Sequence, residues 1–361
     1  MEKIIRVVGF QPGHDVSYCI LENGIPVVHE ELERFTREKE PLGDGLEMFF
    51  KHNPDVNDVK YFCHGNPSGR FGRWASKCGK PEYFEKMQNM IDKNNGKYYV
   101  IGHHQSHAAG AFYSSNFKDA LVITLDGGGT DKIDVNDYNE STANTKFDTG
   151  FTVWEGKDTK IERKGMLGIH EFSIGFLWHK VTSRIFELSV GAPKGNQAGT
   201  VMAMGTAGNP DKYFDVFYDK IVAEPQINWK FYNELVKKDE HTAFDIAAGL
   251  QKATETRFKE IITPYIEQYS GNNLCFSGGV SLNSVMIGKI FDWFPQIKNI
   301  HCDPVPYDGG CSLGSARYVW HHILGNPRIK WEDNSSPYLG RTYSLDDINT
   351  AINKFIEVEE V

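Results

Sequence analysis

Residues 102 to 109 read Gly102-His103-His104-Gln105-Ser106-His107-Ala108-Ala109. A β-like run ends just before this block and small alanines follow it, so it is expected to open a helix. Residues four apart share a helical face, which lets His103 and His107 turn both imidazoles toward one ion. His104 points elsewhere and is expected to bond the backbone or line a pocket. An isolated H-x-x-x-H is more often a pair of surface or core histidines. Three histidines at a strand-to-helix junction shift the balance toward metal. Two carboxylates are placed to complete such a site. Asp126 ends an apolar strand, and Asp308 lies in the turn Asp308-Gly309-Gly310, although either could simply cap a helix or brace a turn. Two imidazoles with two carboxylates suit iron(II), manganese or zinc, with positions left open for substrate.

Glycine turns stand beside these candidates. Gly127-Gly128-Gly129 follows Asp126 and would leave amide N–H groups free to meet phosphate oxygens. Ser277-Gly278-Gly279-Val280, with Asn283 behind it, lies between a strand and a helix and would let backbone approach a purine or ribose. Each alone is equally a tight turn. Together they resemble the phosphate and adenosine loops of the actin-like ATPase superfamily, which includes sugar kinases.

The elements that must hold these residues follow from periodicity. Strands are expected at 6–10, 16–21 and 25–29, joined by glycine turns, then at 59–63 and 98–101. The pattern begins again with strands at 120–125, 151–155 and 160–163, and the polar insert between the first two reads as an extended hairpin loop. Strand, acidic glycine-containing turn, strand, turn, strand thus occurs twice, without sequence identity. Helical spacing marks 173–188 and 242–269, the latter expected to bend or break near Pro264. Strands at 273–277 and 300–303 each lead into a helix, at 282–291 and up to about residue 324. A polar tail carries a short helix after Leu345.

A chain of 361 residues can bury two or three lobes. A net charge of −9 argues against a general nucleic-acid coat. The N-terminus lacks the apolar core of a signal peptide, and no apolar run reaches the ~20 residues needed to cross a bilayer. The six cysteines, Cys19, Cys63, Cys78, Cys275, Cys302 and Cys311, show no C-x-x-C pairing. They read as reduced, half-buried thiols, which implies a cytoplasmic home in a cell or a virus-infected host.

Specific blocks resemble the NodU/CmcH O-carbamoyltransferases. They are His14-Asp15, the stretch from Glu30 to Arg37, the block from His103 to Tyr113, Leu125-Asp126-Gly127-Gly128-Gly129, Ser277 to Asn283, and Asp308-Gly309-Gly310 with Leu313-Gly314-Ser315-Ala316. They fall in family order from residue 7 to about residue 340. The resemblance implies an α/β fold of two ribonuclease H-like lobes, of the actin-like ATPase/sugar kinase superfamily, with the site between them. We expect residues 1–118 in the first lobe, 119–340 in the second with its last helix packing back on the first, and 341–361 as a tail or the start of a YrdC-like domain. The implied reaction moves a carbamoyl group from carbamoyladenylate, made from ATP and carbamoyl phosphate, to an acceptor hydroxyl. His103, His107, Asp126 and Asp308 would then be metal ligands, with iron(II) the first expectation. His14, paired with Asp15, would take the acceptor's proton, unless it only stabilises its turn. Gly127, Gly128, Gly129, Gly278, Gly279 and Asn283 would hold the nucleotide.

Two departures from the family pattern stand out. A usual G-K-V-M block reads Gly199-Thr200-Val201-Met202, so Lys194 is the expected substitute for the missing phosphate-binding cation. Family members also continue into a YrdC-like domain that makes carbamoyladenylate, so either the chain is truncated or a partner supplies the activated group. For the acceptor, sugars and natural products are expected. The loop from Arg70 to Lys80 interleaves four cations with two aromatics and would also suit a 5-hydroxymethylpyrimidine in a nucleotide or DNA. Rival readings are a threonylcarbamoyl transferase acting on tRNA adenosine, a small-molecule kinase, and a non-catalytic nucleotide-binding subunit. Oligomerisation is left open.

Overall fold

The computed structural model describes residues 4–65, 80–131, 149–190, 195–329, 339 and 343–359. Short apolar runs, buried almost continuously in β1 and β2, build the first sheet from β1 (Arg6–Gln11), β2 (Ser17–Glu22), β3 (Ile25–Glu31), β4 (Val59–His64) and β5 (Lys97–Val100), in the order β3-β2-β1-β4-β5. The first three strands are antiparallel neighbours, and β4 and β5 join parallel to β1.

The second sheet repeats that plan. It comprises β6 (Asp119–Gly129), β7 (Thr149–Lys157), β8 (Lys160–Gly168), β9 (Asn273–Ser277) and β10 (Asn299–Cys302). Beginning again at its first strand, β6 pairs antiparallel with β7 and β7 with β8, while β9 and β10 join parallel on the other side. The repeated order, three antiparallel strands followed by two parallel ones, is the ribonuclease H-like topology. Two such lobes give the chain an α/β fold of the kind seen in actin-like ATPases and sugar kinases.

Helices fill three layers. On the outer face of the first sheet, α1 (Leu32–Thr36), α2 (Leu46–His52) and α3 (Pro81–Lys93) accompany a core of Val8, Phe10, Phe49 and Phe62. Between the sheets lie α4 (His103–Ser114) and a late helix, residues Cys311–Arg317, whose Ala108, Phe112, Leu313 and Ala316 share one core with Val7, Cys63, Val122 and Trp154. Beyond the second sheet, α5 (Ile174–Arg184), α6 (Ala198–Gly205), α7 (Trp229–Lys238) and α8 (Glu240–Gln268) enclose the largest core, with Leu177, Ile246 and Phe258 fully buried. The late helix packs on the first sheet: Ser17 Oγ donates to Ser312 Oγ at 2.8 Å, and the Cys19 thiol donates to the Ser312 carbonyl at 3.2 Å.

Three expected elements differ. The helix α8 runs unbroken through Pro264, because Ile262 and Ile266, buried on either side, offset the one lost hydrogen bond. The expected helix at 282–291 is instead a 3₁₀ turn, Gly279–Leu282, followed by α9 (Ser284–Gly288) and a further turn of helix, Ile290–Trp293. Helix α5 stops at Arg184, before the expected end at 188. The late helix, α10 (Cys311–Arg317), continues as a π-helical stretch to Ile323, and α11 (Leu345–Glu359) forms the tail. No helix among the described residues is long and apolar enough to cross a membrane.

Candidate active site

Helix α4 begins at His103, and an acid outside the helix anchors that beginning. The Asp131 carboxylate accepts the His104 amide at 2.8 Å and the Gln105 amide at 3.2 Å. Those amides are unpaired at any helix start, so a buried carboxylate there satisfies two donors and complements the helix dipole. This fixes the first turn and with it the histidines. His103 and His107 point the same way, with Nε2 atoms 3.2 Å apart. His104 faces elsewhere: its Nδ1 lies 2.7 Å from Thr124 Oγ1 and its Nε2 3.0 Å from the Thr149 carbonyl. Burial lowers its pKa to about 4, so it is a neutral, fully bonded core histidine.

The two carboxylates arrive from the opposite side. Asp126, near the end of β6, sets Oδ2 2.9 Å from His103 Nε2 and 3.8 Å from His107 Nε2. Asp308, in the 3₁₀ turn before α10, sets Oδ1 3.4 Å from His103 Nε2 and 3.5 Å from His107 Nε2. Burial alone would push both carboxyls up. Hydrogen bonds from His103 and His107 hold Asp126 well below the usual range, and the charge on His103 leads in holding Asp308 down. Against its own burial, His107 is raised well above its ordinary value by Cys311, Asp126 and Asp308. Two ionised carboxylates thus face two imidazoles in a site that favours positive charge.

The residues present fit a divalent ion. Ligands about 2.1 Å from one ion and about 90–110° apart stand about 3.0–3.4 Å from each other, and the histidine nitrogens meet that spacing. Cys311 adds a donor that the sequence reading missed. His103, His107, Asp308 and Cys311 each offer a ligand atom, all within 4.8 Å of one another. The Cys311 thiol lies 3.5 Å from His107 Nε2, and burial pushes it up to about 12. The available signal was its place three residues after Asp308, where a turn becomes a helix.

His14 and Asp15 sit where β1 turns toward β2. Asp15 adopts a left-handed φ of 51°. Its carboxylate lies 2.7 Å from His14 Nδ1, leaving His14 Nε2 3.4 Å from Asp308 Oδ2. The His14 side chain is 47% exposed, so a substrate can reach it. Both residues line a cavity of about 400 Å³ that also meets Asp126, Asp308, Gly127, Gly279, Asn283, Trp178 and Gly199.

Not every expected nucleotide contact lies on this cavity. Gly127 lines it, but β6 continues buried through Gly128 and Gly129, and Gly129 pairs with Thr149. Those two therefore do not form an open phosphate loop. A Cβ on Gly129 would stand 2.2 Å from the His103 ring, so its lack of a side chain makes room for that histidine. Gly279 lines the cavity, whereas Gly278, at φ 92°, lets the chain pass the Leu125 carbonyl. Asn283 reaches the cavity, yet its side chain is engaged: Oδ1 accepts from the Met286 amide, and Nδ2 donates to Gln251. Lys194 lies outside the described residues, as does the Arg70 loop apart from Lys80, whose ammonium pairs with Glu47 at 2.7 Å.

The four candidate ligands all lie in a stretch that a known family matches. Residues 83–317 match the family described as Carbamoyltransferase N-terminus. The chain belongs to that family. It is 27% identical over 277 residues to the uncharacterized protein sll1178 of Synechocystis sp., covering 69% of this chain and 41% of the relative. It is also 27% identical over 241 residues to the nodulation protein NolO of Bradyrhizobium diazoefficiens, covering 63% and 39%. The chain thus spans less than half the length of these curated relatives. Among solved structures, HypF of T. kodakarensis shares the fold, with a TM-score of 0.51 and 13% identity over 92% of this chain and 49% of that one.

Proposed function

We propose that this carbamoyltransferase-family chain carries the transfer centre of a metal-dependent O-carbamoyltransferase, with carbamoyladenylate as donor and a hydroxyl as acceptor. The observation that carries the reading is the convergence of His103, His107, Asp126 and Asp308 on one point at the wall of the cavity. These four residues would hold the ion, with iron(II) first and manganese or zinc as alternatives. Bound there, a divalent ion supplies Lewis-acid polarisation to a phosphate or carbamoyl oxygen.

The chain's own groups would do the rest. Gly127 and Gly279 bring backbone to the nucleotide without a side chain between them. The acceptor oxygen bonds to the carbamoyl carbon as the bond from that carbon to the AMP phosphate oxygen breaks, and AMP leaves with the electron pair. Burial works against charge on His14, yet Asp308 and Asp15 hold its pKa up to about 10. The acceptor's proton would therefore pass to His14 Nε2 once a cation has taken up the Asp308 charge and left that nitrogen neutral, while Asp15 fixes the other ring nitrogen. ATP and carbamoyl phosphate would be the ultimate sources of the donor, joined by a YrdC-like activating domain or partner. The acceptor would be a sugar or natural-product hydroxyl, or the 5-hydroxymethyl group of a pyrimidine.

The test supplies carbamoyladenylate and a panel of hydroxyl acceptors to metal-loaded protein. Release of AMP matched by an acceptor gaining one carbamoyl mass is expected, and chelation should stop both. Equal turnover after complete removal of metal would contradict the reading.

A further inference from the structure

Ser277 closes β9, is fully buried, and touches the far side of the candidate metal centre. Its Oγ lies 3.3 Å from His107 Nδ1, 3.2 Å from Asp303 Oδ2 and 3.4 Å from the Pro306 carbonyl oxygen. Asp303 is 5% exposed, and its other carboxylate oxygen accepts the Val305 amide at 3.1 Å. Arg317, also buried, lies in the same field: burial works against both charges, and each eases it for the other. Gly110 leaves space for this carboxylate, since a Cβ there would stand 2.4 Å from Asp303 Oδ2.

Neither Ser277 nor Asp303 lines the cavity, so neither is placed to touch substrate. Both are polar side chains buried at a cost, and they stand behind the ring nitrogen of His107 that an ion would not use. A ligating imidazole is commonly oriented by a hydrogen bond from its second nitrogen, which fixes both tautomer and ring rotation.

We propose that Ser277 and Asp303 are positioning residues for the metal centre, acting in series through His107. The Nδ1–H of His107 donates to Ser277 Oγ, and the Ser277 hydroxyl donates to Asp303 Oδ2. Nε2 is then the nitrogen left to face Asp126 and Asp308. This rests on the metal reading given above.

The experiment measures zinc affinity of the full chain by chelator competition, for wild type, Ser277→Ala, Asp303→Asn and the double variant. Each single change should weaken zinc about 10- to 100-fold. The double variant should be no weaker than the weaker single one, because the two residues act on one ring. In zinc-loaded, ¹⁵N-histidine-labelled protein, His107 should carry its proton on Nδ1, and that N–H signal should broaden or vanish in Ser277→Ala. A merely structural role would lower the urea midpoint of the metal-free protein and leave zinc affinity unchanged. Should Asp303→Asn fail to fold, Ser277→Ala decides alone. Zinc binding by wild type with affinity within twofold in a folded Ser277→Ala overturns the relay and spares the metal reading. No zinc binding by wild type overturns both.

Discussion

The Nε2 atoms of His103 and His107 stand 3.2 Å apart with their rings inclined at 87°. One helical turn separates the residues, and Asp126 near the end of β6 and Asp308 in the turn before α10 both approach that pair. Two neutral imidazoles so close can share one proton between their Nε2 atoms, or both can turn their lone pairs toward a single cation. The facing carboxylates make positive charge favourable there, which is the electrostatic basis for expecting metal.

Replacing both histidines by alanine is therefore expected to abolish stoichiometric metal binding and carbamoyl transfer. The far-UV circular dichroism should stay that of the wild type, because the helix is capped by Asp131 and packed by Ala108 and Phe112 on other faces. Full transfer activity in a metal-free double variant would contradict the assignment.

Asp131 should matter before any ligand binds. Asp131→Ala removes the acceptor of two helix-start amides and is expected to cost about 1–2 kcal/mol in urea unfolding. Asp131→Asn keeps one acceptor oxygen and should cost less. Equal stability of Asp131→Ala and wild type would mean that water caps α4 equally well.

Gly278 gives a backbone test. Its φ of 92° disfavours any side chain, and a Cβ would stand 2.1 Å from the Leu125 carbonyl oxygen in the neighbouring strand. Gly278→Ala should destabilise the protein by more than about 1 kcal/mol, the strain of that conformation alone. A urea midpoint unchanged from wild type would show that β9 and β6 can separate freely at this point.

Buried thiols predict an alkaline limit. Burial raises Cys19 and Cys275 to about 12 and raises Cys63 further. Unfolded thiols ionise near their ordinary value of 9.0, so the folded state binds more protons than the unfolded state above that pH. The stability they contribute is complete below pH 9 and declines as pH rises toward the folded values. The urea midpoint should fall steadily above about pH 9. In native protein at neutral pH, the exposed Cys302 should be alkylated while Cys19, Cys63 and Cys275 are protected. Rapid labelling of those three without unfolding would refute this packing.

Much of this was legible in the residues themselves. Short apolar runs located the strands, and glycine with acidic turns separated them, so two similar halves could be read without any shared sequence. The histidine pair was legible because helical spacing is local. Cys311 was not, since its approach to His107 is made by the packing of α10 against α4. Asp131 was hidden for the same reason: it caps a helix that begins 28 residues earlier in the chain. The glycine run misled at Gly128 and Gly129, because strand pairing and the His103 ring claim positions that composition alone assigns to a phosphate loop. Helix α3, with Pro81 at its first turn, carried a start signal that the charged segment around it obscured.

The most direct measurement is anomalous diffraction from crystals soaked with manganese and a non-hydrolysable carbamoyladenylate analogue. The account predicts one anomalous peak within ligand distance of His103 Nε2, His107 Nε2, Asp126 and Asp308, with the analogue's phosphate between that ion and Gly127. A peak elsewhere, or an analogue bound away from these four residues, would contradict it.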